Sequence, residues 1–196
     1  MENITWDYTL FEALNFSGGA LLDRVMMAIS GVAMWIPLYL LIIYMVWRRW
    51  SWRGVIALLI AVGLALGAAD LIAGIFKHSG PLKNLWPEFP ARLRPMFSEG
   101  LADVNIPSTK HGLYGTVSAH AATIVSLSIL SAYAVGRRWF SWMMAAMALL
   151  ICYSRIYLAC HFPQDILLGA AVGVVTATLG VVVFRLIVGK NRSEQH

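Results

Sequence analysis

Apolar residues run through this chain in long blocks, and five of them reach the length needed to cross hydrocarbon as helix. They lie at about 22 to 47, 54 to 76, 116 to 135, 139 to 160 and 166 to 188. Polar residues collect between the blocks. Only a helix satisfies its backbone hydrogen bonds within such a segment, so the pattern predicts an all-α integral membrane protein, a bundle of about five transmembrane helices. Ahead of the first block, Trp6, Tyr8, Leu10, Phe11, Leu14 and Phe16 recur at loosely helical spacing among Asp7 and Glu12, which predicts a short interfacial helix, the alternative being a frayed amphipathic terminus without function. The first twenty or so residues lack the basic leader and apolar run of a cleavable signal.

The second and third blocks are separated by about forty residues carrying Pro81, Pro87, Pro90, Pro95 and Pro107, too proline-rich and polar for a further span. Irregular loops of that length are commonly functional or disordered. No internal repeat or low-complexity linker divides the chain, so residues 1–196 read as one membrane-embedded domain.

Composition agrees with the pattern: 59% of residues are hydrophobic, 13% are charged and the mean hydropathy is +0.69. A soluble bundle of this length could not cover that apolar content with polar surface. The net charge of +5 does not imply nucleic-acid binding, because the basic residues cluster at the ends of apolar blocks. Arg48, Arg49, Arg53, Arg137, Arg138, Arg185, Lys190 and Arg192 fall on one side of a five-span topology with a single acid, Glu194. The positive-inside rule makes that side cytoplasmic, with the C-terminus, and turns the long loop outward. Cys152 and Cys160, eight residues apart on one predicted helix, would stand about 12 Å apart along its axis, which argues against a disulfide.

Three clusters carry candidate chemistry. The stretch SRIYLACHFPQD places Ser154, Arg155, His161 and Asp165 at the junction of the fourth and fifth spans, where ionisable groups are costly unless they function. A carboxylate four residues after a histidine can accept from one imidazole nitrogen and leave the other to attack, although the same pair could be a structural hydrogen bond. The stretch TVSAH opens the third span with Thr116, Ser118 and His120. A helix N-terminus suits phosphate, and His120 one turn in can move protons or simply pack as a polar group. The segment KHSGPLKNLWPEFPARLRP supplies Lys77, Lys83, Arg92 and Arg94. Lys83 and Arg92 read as solvated loop cations, Lys77 and Arg94 as phosphate ligands. By the topology above all three clusters meet at one membrane face. Asp70, a lone acid in the second span, is expected to pair with one of these cations.

The order of a lysine and an Arg-Pro pair, then Ser-x-His, then Ser-Arg-x5-His-x3-Asp resembles the type 2 phosphatidic acid phosphatase superfamily over roughly residues 20 to 188. The third motif matches fully, as Ser154, Arg155, His161 and Asp165. In the first, Lys77 precedes Arg94 by more than the usual spacing, with Pro87 standing where the family lysine commonly falls and Lys83 in reserve. In the second, Ala119 replaces the common glycine and Val117 the proline. The resemblance implies a phosphohistidine mechanism without cofactor or metal. His161 would be the nucleophile, Asp165 its orienting partner, and His120 general acid and then base. Lys77, Arg94, Ser118 and Arg155 would hold the phosphate. It further implies a lipid phosphate substrate in the bacterial cytoplasmic membrane, with the site facing the periplasm or exterior. Undecaprenyl pyrophosphate is the first expectation for that substrate. Lipid A, phosphatidylglycerol phosphate and phosphatidate are alternatives, and a non-hydrolytic lipid-phosphate binder or transporter is the reading from another class.

Overall fold

The structure, a computed structural model, describes residues 5–77, 81–88, 92–101, 103–107 and 112–189. Pro90, Lys190, Arg192 and Glu194 lie outside the described residues, as does the side chain of Lys83. In chain order the helices are α1 (Thr5–Leu14), α2 (Gly19–Ser30), α3 (Ile36–Ile75), α4 (Pro81–Leu85), α5 (Ala119–Val135), α6 (Arg138–Tyr157) and α7 (Pro163–Gly189). Single 3-10 turns occupy Ala33–Trp35 and Pro95–Phe97. Among the described residues the only strand-like pairing is an isolated bridge between Leu93 and Tyr114.

A straight helix of the 40 residues in α3 would run about 60 Å, twice the hydrocarbon thickness. Instead α3 reverses at Ser51, whose φ of 58° and ψ of −168° are not helical. Trp35, Tyr39 and Ile43 from one arm line the same cavity as Leu58, Val62 and Leu66 from the other, so the arms run side by side. The reversal falls in RRWSWR, where charged and indole groups favour the interface over hydrocarbon. Arg49 donates to the carbonyl of Val135 at 2.7 Å and Trp50 Nε1 to that of Ala134 at 2.9 Å, satisfying carbonyls that the end of α5 leaves open. Arg48, Arg49 and Arg137 therefore meet around one cavity at one end of the bundle.

The five apolar blocks map onto the two arms of α3 and onto α5, α6 and α7. Ala33–Ile75, Arg138–Tyr157 and Pro163–Gly189 are long and apolar enough to cross a membrane, and α5, at 17 residues, is an apolar but shorter helix. One boundary differs from expectation. The first block, expected to be continuous from about residue 22, breaks at Ser30–Trp35, where Gly31 takes an extended ψ of 153° and Trp35 Nε1 donates to the carbonyl of Ile29 at 2.8 Å. Hydrophobic periodicity cannot register that turn, because the residues making it are themselves apolar.

The α3, α5 and α7 helices form the centre through small residues. Ala57, Ala61, Ala65, Ala69 and Ala73 recur every fourth position along α3, all buried. A Cβ on Gly169 would come within 2.4 Å of the carbonyl oxygen of Ser118, and one on Gly173 within 2.5 Å of that of Ala122. Backbone-to-backbone approach of this kind is the usual basis of helix association in lipid. It fixes the N-terminal ends of α5 and α7 against each other at the end of the bundle opposite the arginines.

Candidate active site

The end of α6 sets the position of His161. The helix stops at Tyr157, and Ala159 takes a left-handed φ of 53°, a costly choice for a residue with a Cβ. That turn folds the chain back, so that the N–H groups of Cys160 and His161 both donate to the carbonyl of Arg155, at 2.9 and 3.3 Å. Pro163 then opens α7, placing Asp165 in its first turn. His161, Asp165 and Arg155 are all buried.

His161 lies between acceptors on one side and a donor on the other. Its Nδ1 is 3.0 Å from the carbonyl of Gly115 and 3.5 Å from Oδ2 of Asp165, while its Nε2 is 3.1 Å from Nη1 of Arg94. Guanidinium only donates and carbonyl only accepts, so the proton sits on Nδ1 and the lone pair on Nε2. Burial, then the charges of Arg94 and Arg155, push the imidazole well below its ordinary pKa and keep it neutral. The closer acceptor is the backbone carbonyl of Gly115, which no sequence signal marks; Asp165 stands further off. Any side chain at position 115 would meet Arg94 at 2.9 Å and His161 at 3.2 Å.

The cations converge on this imidazole. The Leu93–Tyr114 bridge holds the Arg94 backbone, whose N–H donates to Leu113 at 3.0 Å, and Nη1 of Arg94 also donates to the carbonyl of Cys160 at 2.8 Å. Arg155 reaches up from α6 to donate to the hydroxyl of Ser30. The Nε atoms of Arg94 and Arg155 are buried with no acceptor among the described residues, which is the condition an arriving oxyanion would relieve. Ser118 caps α5, accepting from the N–H of Ala121 at 3.3 Å through an oxygen that keeps its own proton to donate. His120, in the first turn of α5, faces a cavity of about 520 Å³, and a proton on it would oppose protonation of His161.

The structure thus brings together His161, Asp165, Arg94 and Arg155, with Ser118 and His120 at the adjoining helix end. Lys77 lies just past the end of α3, half-buried, and makes no hydrogen bond or ion pair to this cluster among the described residues. Asp70 lines the same cavity as His120 but forms no ion pair among the described residues, contrary to the expectation that it pairs with a cation.

Arg92 also differs from expectation. Rather than being solvated, it forms an ion pair with Asp7 at 2.6 Å and lies 3.5 Å from Asp165. Its guanidinium sits over the Phe162 ring, 3.8 Å from the centroid. In the sequence Asp7 marks only a polar position of an amphipathic helix. Its spacing of four from Phe11 puts both on one face, and that face is buried against the protein.

Residues 58–188 match the PAP2 superfamily. The chain is 30% identical over 154 residues to a lipid A 4'-phosphatase of Bacteroides thetaiotaomicron, an alignment spanning 77% of this chain and 64% of that protein. It is 26% identical over 168 residues to a lipid A 4'-phosphatase of Porphyromonas gingivalis, spanning 85% and 67%. The chain thus spans just under two thirds of the length of the Bacteroides relative. In fold it is similar to the crystal structure of Aquifex aeolicus LpxE, with a TM-score of 0.65 at 21% identity over 93% of this chain and 98% of the other. The transmembrane PAP2 type phosphatidylglycerolphosphate phosphatase of Bacillus subtilis gives a TM-score of 0.56 at 21% identity over 96% and 86%. Long apolar helices and bacterial relatives make this a multi-pass bacterial membrane protein. With the family matched from the second arm of α3 to the end of α7, the chain belongs to the PAP2 superfamily.

Proposed function

We propose that this chain hydrolyses a lipid phosphate of the lipid A class through a phosphohistidine on His161. The observation that carries the reading is a neutral, buried imidazole with its Nε2 lone pair against Arg94, beside buried Nε donors of Arg94 and Arg155 that lack acceptors among the described residues. A phosphate entering here takes hydrogen bonds from Arg94 and Arg155, drawing Arg94 off Nε2 and freeing that nitrogen to attack phosphorus in line. The N–P bond forms as the bond from phosphorus to the lipid oxygen breaks, and His120 gives that oxygen a proton. Water, deprotonated by His120, then attacks phosphorus and the N–P bond breaks, releasing inorganic phosphate. Gly115 and Asp165 stabilise the Nδ1 proton throughout. Ser118 and the N-terminus of α5 bind equatorial oxygens, and Lys77 adds a cation at the mouth.

The lipid part of the substrate has a place in the cavity of about 520 Å³ between the two arms of α3 and α5. His120, Asp70 and Ser30 line it together with Ile43, Leu58 and Leu127. The two relatives named lipid A 4'-phosphatase favour lipid A over undecaprenyl pyrophosphate. Positive charge at the opposite end supports a site facing the periplasm or exterior.

The test is phosphate release by purified protein from lipid A, undecaprenyl pyrophosphate, phosphatidylglycerol phosphate and phosphatidate, ranked by kcat/KM. Lipid A is expected to lead, and His161→Ala to reduce kcat by about 10³-fold or more, the scale of losing a nucleophile. A leading undecaprenyl pyrophosphate would overturn the substrate class alone. Binding without phosphate release by the wild type would make the chain a lipid-phosphate binder.

A further inference from the structure

We infer that Asp7, in the first turn of the N-terminal helix, is a positioning residue of phosphoryl transfer, acting on His161 through Arg92 and Asp165. The inference rests on the reading of His161 as nucleophile. Asp7 is fully buried. Its Oδ2 lies 2.6 Å from Nη2 of Arg92, and its Oδ1 accepts from the N–H of Gln164 at 2.8 Å, in the first turn of α7. The other side of the same guanidinium, Nη1, lies 3.5 Å from Oδ1 of Asp165. The remaining oxygen of Asp165 accepts from the N–H of Phe162 at 3.1 Å and stands 3.5 Å from Nδ1 of His161. Four ionisable groups on three separate segments thus form one chain ending at the imidazole.

The division of Arg92 between two carboxylates is what gives Asp7 its role. The guanidinium is closer to Asp7 than to Asp165, and its plane is fixed over Phe162. Removing the charge of Asp7 leaves Asp165 as the nearest carboxylate, and the guanidinium closes on it. Asp165 then turns its oxygens toward Arg92 and away from Nδ1 of His161. Docking of α1 does not itself call for a buried carboxylate. Phe11 packs against Phe162 with ring centroids 5.3 Å apart, and Asn15 donates to the carbonyl of Tyr157 at 2.7 Å. Desolvating a buried ion pair offsets much of its attraction, so docking alone does not account for a carboxylate at this position.

The experiment measures kcat and KM on the fastest panel substrate for wild type, Asp7→Asn, Asp7→Glu, Arg92→Gln, the Asp7→Asn/Arg92→Gln double variant, Phe11→Ala and His161→Ala, with thermal midpoints in detergent. Asp7→Asn is expected to lower kcat by about 10- to 100-fold with KM within about threefold, the signature of an interaction made in the transition state. Asp7→Glu should recover part of the loss, and the double variant should be no worse than Arg92→Gln. Phe11→Ala, which loosens the same helix, should lower the thermal midpoint and keep kcat within about twofold of wild type. An unchanged kcat in Asp7→Asn, or equal losses in Phe11→Ala, would overturn the inference. If Asp7→Asn does not fold, full kcat in Arg92→Gln overturns it. An inactive His161→Ala beside a fully active Asp7→Asn removes this inference alone, whereas an active His161→Ala removes the nucleophile and this inference with it.

Discussion

His161 meets hydrogen-bond partners of opposite kind at its two nitrogens, and that asymmetry has a consequence for stability as well as for reactivity. The imidazole is neutral in the folded protein because burial and the charges of Arg94 and Arg155 oppose protonation. In the unfolded chain it titrates at its ordinary value of 6.5. Below that pH the unfolded state binds the additional proton and the folded state resists it, so stability falls with the pH. The loss continues until the depressed folded value is reached. Each tenfold difference in proton affinity corresponds to about 1.4 kcal/mol. The thermal midpoint of the wild type in detergent is therefore expected to fall more steeply between pH 7 and pH 5 than that of His161→Gln, which lacks the group. Parallel curves would show that His161 protonates freely in the folded state. The residues of this environment differ in how far the sequence exposes them. His161 and Arg155 stand out as ionisable groups at a span boundary. Gly115 does not, since its contribution is a backbone carbonyl that any residue carries and only close approach makes useful.

At the scale of elements, the contact between α5 and α7 decides whether the site assembles. Gly169 lies one turn after Asp165 and faces the carbonyl of Ser118, the residue that caps α5. Gly169→Ala would place a methyl group 2.4 Å from that carbonyl, where backbone must move. The expected cost is about 1–3 kcal/mol, as for other overpacked contacts, with a fall in kcat because Ser118 and His120 move with α5. Gly67→Ala, whose Cβ meets nothing within 4 Å, is the control. It is expected to leave the midpoint unchanged or raised, since alanine stabilises a helix by about 1 kcal/mol over glycine. Equal midpoints for the two variants would contradict the close approach of α5 and α7. Of these elements, α5, α6 and α7 are legible in the sequence because each apolar block ends at a glycine, proline or charged pair. The break before α3 is not, since Val32, Ala33 and Met34 continue the apolar run through a turn that only tertiary packing creates. The buried face of α1 is similarly concealed. Asp7 reads as a polar residue until Arg92, 85 positions later, is brought against it.

Over the whole molecule, charge and chemistry separate to opposite ends. Arg48, Arg49 and Arg137 gather where α3 reverses and α5 turns into α6, and the histidine cluster lies where α6 turns into α7. The bundle between them is apolar, with α7 running 27 residues, about 40 Å, from one end to the other. Such a molecule has two possible orientations, and the positive-inside rule predicts the one with the arginines in the cytoplasm. In that orientation the proposed hydrolysis would take place at the outer leaflet, with phosphate released on the outer side. Two exposed positions report the choice directly: Glu99, in the loop beside Arg94, and Ser141, in the first turn of α6 near Arg137. Both native cysteines are buried, so an introduced thiol reacts against a low background. With an impermeant maleimide, in cells whose outer membrane admits the reagent, Glu99→Cys is expected to label while the cells are intact. Ser141→Cys should label only after lysis. The reverse pattern would place the arginines outside and the histidines in the cytoplasm, and would move the proposed reaction to the inner leaflet.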